Sequence, residues 1–369
     1  MPRYAIMSIA FDLMEKRCPT FDGFYQRIGC NSGNLLFSVA VWEKLAGEKT
    51  RVNFVFDPDK LNAEYDALIM PAANWVSPRV DFTDLANRVE KLKIPVIIVG
   101  LGAQNENYKD KFTIPSGTER FLKAISERCQ AMSLRGPYTQ DVLNELGISN
   151  TIVTGCPSLY HEFRPFERPV KKEINLEKIL LHSTRYEATY MPFIEGSSAN
   201  LKLFQLAHSK KIDLLYQSEP EEIAEFQKYI RLSEQSKAKQ IYLCKTYATM
   251  SLKSIENFIE EHGKFFVNLD QWSGAMIDYD FVIGTRLHGT IMALNSGTPG
   301  MLLYHDSRTR ELAEFSAIPS MDAEKTDLSM NGLKEAYENA DFDAYYEKRD
   351  ENYAIYTEFL KTNSVDFVK

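Results

Sequence analysis

Two α/β domains built on parallel sheets are the architecture that this 369-residue sequence predicts. Three observations lead there. Short apolar runs alternate with segments whose apolar residues recur at helical spacing, and they do so through both halves of the chain. Between the halves, residues 161–173 shift to Arg, Pro, Glu and Lys with few periodic apolar positions, as an interdomain linker does. The length suffices for about two domains, each with its own core. The expected division is an N-terminal α/β domain over 1–165, a second over 166–330, and C-terminal helices over 331–369 that pack back on the first domain.

In order along the chain, residues 4–11 read as the first strand. Asn31-Ser-Gly-Asn34 then turns into a helix marked by Leu35, Leu36, Val39, Ala40 and Leu45, with cap chemistry at its start. Strands are expected at 51–56 and 67–72, with a helix at about 82–92. Residues 94–104 form a near-continuous apolar strand ending in Gly100-Leu-Gly-Ala-Gln104. A dinucleotide fingerprint is rejected there, because its third glycine is missing and Asn105-Glu-Asn-Tyr108 is no helix start. A helix at 118–128, a strand at 131–135 ending in a charge, and a helix from Pro137 to about Gly147 follow; Pro137 suits a first helical turn. A strand at 151–155 closes the first half. In the second half, strands are expected near 178–182, 212–216, 240–244 and 264–267, and helices near 199–208, 221–231 and 252–262. The tail, 342–360, has helical spacing.

The richest stretch is 279–315. Asp280-Phe-Val-Ile-Gly284 reads as a buried strand, and it delivers Arg286 and His288 to its own carboxyl end. Leu287, Ile291 and Leu294 then mark a helix with one buried face. A second strand, 300–304, leads into Asp306-Ser-Arg308-Thr-Arg310 and another helix. Ligands of open α/β sheets bind beyond the carboxyl ends of the strands, where helix N-termini aim unpaired amides outward. Arginines placed at such ends suit an anionic ligand. Arg135 repeats the arrangement in the first half, although alone it would read as a surface ion-pair residue.

Bulk properties exclude several classes. A net charge of −8 argues against general nucleic-acid binding. Five scattered cysteines without a C-x-x-C pair argue against a disulfide framework or structural zinc, and point to a reducing cytoplasm. The N-terminus lacks a signal-peptide pattern, and no apolar run is long enough for a membrane span. The six histidines form no metal-ligand spacing, so no metal and no cofactor are expected.

The run Gly284-Thr-Arg-Leu-His-Gly-Thr290, with Asn295-Ser-Gly-Thr-Pro299 and Asp306-Ser-Arg-Thr-Arg-Glu311, resembles the signature of the polysaccharide pyruvyl transferases. Weaker matches carry the resemblance from about Asn31 to Phe315. They include the Asn31-x-Gly33-Asn34 turn, Gly102 and Gln104, Arg135, and Cys156-Pro157. Gly136 departs from the pattern, since many members carry an acidic residue there. The resemblance implies a glycosyltransferase-B-like architecture with two Rossmann-like domains facing a cleft. It also implies transfer of the enolpyruvyl carbons of phosphoenolpyruvate, as co-substrate, onto two hydroxyls of a sugar to form a cyclic ketal with release of phosphate. The acceptor would be a cell-surface polysaccharide or its precursor, including lipid-linked ones, which makes brief contact with the inner face of the membrane compatible with a cytoplasmic protein.

A donor bearing a carboxylate and a phosphate asks for planar bidentate cations, and arginine supplies them better than lysine. Arg286 and Arg135 rank first because each ends a strand. Arg308 and Arg310 sit two apart near a helix start, so they do not both face one cleft; a solvated helix start is an equal reading for that pair. His288 is the expected general acid, with Arg286 and Arg135 as its catalytic partners. Asn31, Gly33, Asn34, Gly102, Gln104, Gly289, Thr290, Asp306, Arg308 and Arg310 are the expected substrate-binding positions. Three alternatives stay open: a purely electrostatic role for Arg286 and His288, a glycosyltransferase using a nucleotide sugar, and a non-catalytic glycan-binding subunit.

Overall fold

The computed structural model describes residues 1–9, 18–104, 112–162, 164–184 and 198–368. Positions 10 and 11 of the expected first strand and 105–108 after the glycine-rich turn lie outside them. The first sheet has four parallel strands, β1 (Arg3–Met7), β2 (Glu48–Val52), β3 (Ala67–Pro71) and β4 (Val96–Val99), in the order β2-β1-β3-β4. A parallel pair, β5 (Met132–Leu134) and β6 (Thr151–Val153), continues it. Leu101, just past β4, bridges to Leu134 and bonds to Ser133 and Arg135.

The second sheet holds β7 (Ile179–His182), β8 (Asp213–Leu215), β9 (Gly263–Lys264), β10 (Phe281–Gly284), β11 (Gly300–Tyr304) and β12 (Ser320–Asp322). Its order is β12-β11-β10-β7-β8-β9, with every pairing parallel. Counted from β7, that is the doubly wound order 3-2-1-4-5-6, whose switch point falls between β7 and β10. Strands β3, β4, β7 and β10 are buried at every position, which is why they read as unbroken apolar runs. The edge strand β2, Glu-Lys-Thr-Arg-Val, is largely exposed and charged, which discourages edge-to-edge pairing.

Several sequence expectations are corrected. Residues 240–244 are not a strand but part of the helix Lys237–Thr246. The run Ile-Tyr-Leu-Cys is β-prone in composition, yet burial follows Gln240, Leu243 and Thr246 at helical spacing while Ile241 stays 58% exposed. The strand expected at 51–56 is β2, three residues earlier; Phe54 and Val55 beyond it are exposed. That expected at 264–267 shrinks to the two residues of β9.

The long helix Phe342–Thr362 links the two cores. Phe342, Tyr345 and Tyr346 pack with the second sheet, whereas Tyr356, Phe359 and Leu360 pack against Tyr4, Ile6, Ile69, Ile97 and Val99 of the first. The preceding helix, Met330–Asn339, stays on the second sheet, where the Tyr337 ring lies 5.3 Å from Phe281. Among the described residues no helix is long and apolar enough to cross a membrane.

Candidate active site

At the switch point of the second sheet, Gly284 of β10 lies in register with His182 of β7. A Cβ at Gly284 would stand 1.7 Å from the His182 carbonyl oxygen, so glycine is needed for this close approach. His182 is fully buried, and its Nδ1 accepts the Arg286 backbone N–H at 3.0 Å. Burial and the Arg286 charge push its pKa down to about 3, leaving a neutral ring that shapes the turn.

The Arg286 side chain is already engaged. Its Nε donates to the Ser183 carbonyl at 3.0 Å, and Nη2 contacts the Ser218 hydroxyl and the Glu219 carboxylate. Glu219 is fully buried and also accepts the Gln217 and Ser218 N–H groups at 2.8 and 3.0 Å. Arg286 therefore brings a charge that Glu219 largely balances.

Arg135 differs. It is 2% exposed, and its guanidinium donates to the Gly100 carbonyl at 2.9 Å, the Ala72 carbonyl at 3.0 Å and Asn74 Oδ1 at 3.3 Å, all beyond the carboxyl ends of β3 and β4. Among the described residues no carboxylate stands within ion-pair distance of it. Its Cζ lies 5.6 Å from the centre of the Phe37 ring, and that ring is 5.7 Å from His288. A buried cation held only by neutral acceptors is a costly arrangement that a bound anion relieves.

His288 is the second residue of the helix Leu287–Leu294 and is 8% exposed. Burial, then Arg135, Arg308 and Arg286 in that order, hold its pKa well below the usual imidazole value. Three guanidinium groups, one from the first sheet and two from the second, thus converge electrostatically on one imidazole. The ring faces Cys156, whose Sγ is 3.8 Å from Nε2, and Gly33, where a Cβ would stand 2.8 Å from Nδ1.

The other sequence-derived positions divide. Asn31 Oδ1 accepts the Gly33 N–H at 2.8 Å, and Asn34 Nδ2 donates to the Ile28 and Gly29 carbonyls, so both asparagines hold the turn that brings Gly33 to His288. Gly102 gives the Arg135 stem room, a Cβ there meeting Arg135 Cδ at 3.0 Å. Gln104 is fixed through its backbone to Val76, and Gly289 packs against His182 and Gln217. The Thr290 hydroxyl is buried beside His182 Nε2 at 3.4 Å. Asp306 caps the helix Ser307–Ser316 through Thr309 and lies 3.4 Å from Arg308 Nη2. Among the described residues, the buried Arg308 Nε has no hydrogen-bond partner. Arg310 is not brought to the site: it pairs with exposed Glu314 one turn along its helix and covers Tyr304.

Sequence reasoning missed Phe37, Asn74, His182, Gln217, Glu219 and Glu311. Gln217 Nε2 and Ser32 Oγ are buried beside this cluster without a hydrogen-bond partner among the described residues. Among the described residues no group of three His, Cys, Asp or Glu side chains is disposed to hold a metal.

Residues 31–307 match the family model described as polysaccharide pyruvyl transferase. No curated protein matches the chain at a significant level. Among solved structures, the UDP-N-acetylglucosamine 2-epimerase from Rickettsia bellii is similar at 11% identity and a TM-score of 0.45, over 98% of this chain and 95% of that one. The UDP-GlcNAc 2-epimerase from Neisseria meningitidis aligns at 12% identity and a TM-score of 0.43, over 98% and 100%. A functionally uncharacterized protein from Klebsiella pneumoniae aligns at 12% identity and a TM-score of 0.41, over 86% and 88%.

Proposed function

The chain belongs to the polysaccharide pyruvyl transferase family, and from that premise we propose that it uses phosphoenolpyruvate to build a cyclic pyruvate ketal on a sugar of a polysaccharide or its precursor. The observation that carries this reading is Arg135, a buried guanidinium with no carboxylate at ion-pair distance among the described residues, set beside His288 and in the field of Arg308. Arg135 and Arg308 hold the donor's phosphate and carboxylate, while Arg286, balanced by Glu219, shapes the turn and adds field. Helix N-termini at Gly33 and Arg286, neither with a side-chain cap, add amides to the same region.

His288 then serves as general acid. In the free protein burial first, and the three arginines after it, keep its ring neutral; the donor's negative charges offset the arginine field, so protonation accompanies donor binding. The imidazolium delivers its proton to the methylene carbon of the donor, making C2 electrophilic. One sugar hydroxyl adds to C2 and loses its proton. The C2–O bond to phosphate breaks, inorganic phosphate departs, and the second hydroxyl closes the ketal as it loses its own proton. The buried Arg135 guanidinium and the half-buried one of Arg308 stabilise the leaving phosphate in a site already organised for it.

The test is phosphate release from phosphoenolpyruvate by the purified protein across galactoside, glucoside and mannosamine-containing acceptors. Acceptor-dependent release, lost in His288→Gln, is the expected outcome. Consumption of a nucleotide sugar with phosphoenolpyruvate left untouched would overturn the reading in favour of glycosyl transfer.

A further inference from the structure

Residue 136 follows Arg135 and is the N-cap of the helix Pro137–Glu145, yet as glycine it offers that helix no side-chain cap. Its backbone is extended, with φ at −173°, so other residues could adopt it. Space excludes them: a Cβ there would lie 2.1 Å from Cγ and 2.5 Å from Oε1 of Glu311. Glu311 belongs to the helix Ser307–Ser316 of the second sheet and is 1% exposed. Its carboxylate accepts the Thr139 N–H at 2.8 Å and the Thr139 hydroxyl at 3.1 Å.

Thr139 is the third residue of its helix, and its N–H is one that an N-cap aspartate would hold. Glu311 thus supplies, from the opposite sheet, the cap that residue 136 lacks. The Thr139 hydroxyl also accepts the Ala103 N–H at 2.9 Å, next to Gly102, on which the Arg135 stem packs. On its own helix Glu311 follows Arg308 by three residues, so both project from one face. One carboxylate therefore joins the support of Arg135 to the helix that carries Arg308.

We propose that Glu311 is a positioning residue, a latch between the sheets that fixes the spacing of Arg135 and Arg308 across the donor pocket. Its activity readout rests on the pyruvyl-transfer reading; its structural readout does not. Three variants are compared by amide exchange at Thr139, melting temperature, affinity for inorganic phosphate, and kcat and KM for phosphoenolpyruvate. Glu311→Ala should speed Thr139 exchange, lower the melting temperature and raise the donor KM about tenfold or more, since small displacements of positioning groups are expensive. Glu311→Gln keeps an acceptor for the Thr139 N–H and should hold KM within about twofold of wild type.

The deciding variant is Gly136→Asp/Glu311→Ala, which rebuilds the cap within the first half alone. Thr139 protection and the melting temperature should return while the donor KM and the phosphate dissociation constant stay raised. Recovery of KM and phosphate affinity along with stability would make Glu311 a cap and nothing more. Unprotected Thr139 in the double variant, or an unchanged KM in Glu311→Ala, would also overturn the latch. If wild type leaves phosphoenolpyruvate untouched, the pyruvyl-transfer reading fails, and phosphate affinity in the double variant alone decides the latch: weakened supports it, unchanged overturns it.

Discussion

A single imidazole is asked to be neutral when the site is empty and charged when the donor is in place. His288 sits where this is physically reasonable, because its low pKa comes from burial and from arginines whose charge a bound dianion offsets. Binding raises the pKa, so the acid form persists to higher pH in the complex than in the free protein. The limb of activity lost with rising pH should therefore lie higher for kcat than for kcat/KM, since the two report the complex and the free enzyme. Coincident limbs in a pH–rate series would remove His288 from the acid role. Gly33 gives a steric counterpart. A methyl group at Gly33 would meet His288 Nδ1 at 2.8 Å and Gln217 Oε1 at 2.9 Å, so Gly33→Ala should cut kcat by about tenfold or more through misplacement of the ring. Wild-type turnover in that variant would show the ring free to move.

Turns and helix starts set which charges are available. Because Arg286 is matched to a fully buried Glu219, Arg286→Ala strands a carboxylate, and about 3–5 kcal/mol of stability should go with it. Adding Glu219→Gln should recover most of the melting temperature; if it recovers none, the pair is not the cause. Glu311 predicts a pH effect of defined sign. Burial, with a further push from Asp141 and against Thr139 and Arg135, raises its pKa to about 7, so the folded protein binds this proton more tightly than the unfolded chain. Its contribution to stability is full below the ordinary carboxyl range and is lost as pH rises through about 7. The melting-temperature difference between wild type and Glu311→Gln should shift across that window and be flat above it.

These same elements show how far the sequence could be read. Strand β10 and the arginine and histidine behind it were visible because a strand buried on both faces is a continuous apolar run, and the residues directly after such a strand must lie at the sheet's end. Arg135 was visible by the same logic. Glu219, Gln217, Asn74 and Glu311 were not, since each is placed by tertiary packing that no local period encodes. Arg308 and Arg310 looked equivalent until the helix start fixed their faces. Residues 240–244 were misread because β-prone composition outweighed a weak helical period, a choice that Ser236 at the N-cap and the buried Gln240 side chain settle the other way.

Across the molecule, the two sheets are tied by more than the latch. Asn295 Nδ2 donates to the Ser158, Leu159 and His161 carbonyls at 2.8–3.1 Å, and its Oδ1 accepts from the Tyr345 hydroxyl at 2.8 Å. The helix Phe342–Thr362 spans both cores. Phe359→Ala, at a fully buried ring over the first sheet, should cost about 3–5 kcal/mol while leaving the donor KM unchanged. A raised KM in that variant would mean that the strap also sets the pocket.

The decisive number is a coupling energy between Arg135 and Arg308, obtained by calorimetric titration of phosphoenolpyruvate into wild type, Arg135→Gln, Arg308→Gln and the double variant. If one anion is gripped from both sheets, each single change weakens binding by at least about tenfold and the double variant falls short of the sum by a coupling of about 0.5–3 kcal/mol. Single variants that bind as wild type does, or losses that simply add, would mean that no donor spans the crevice between them.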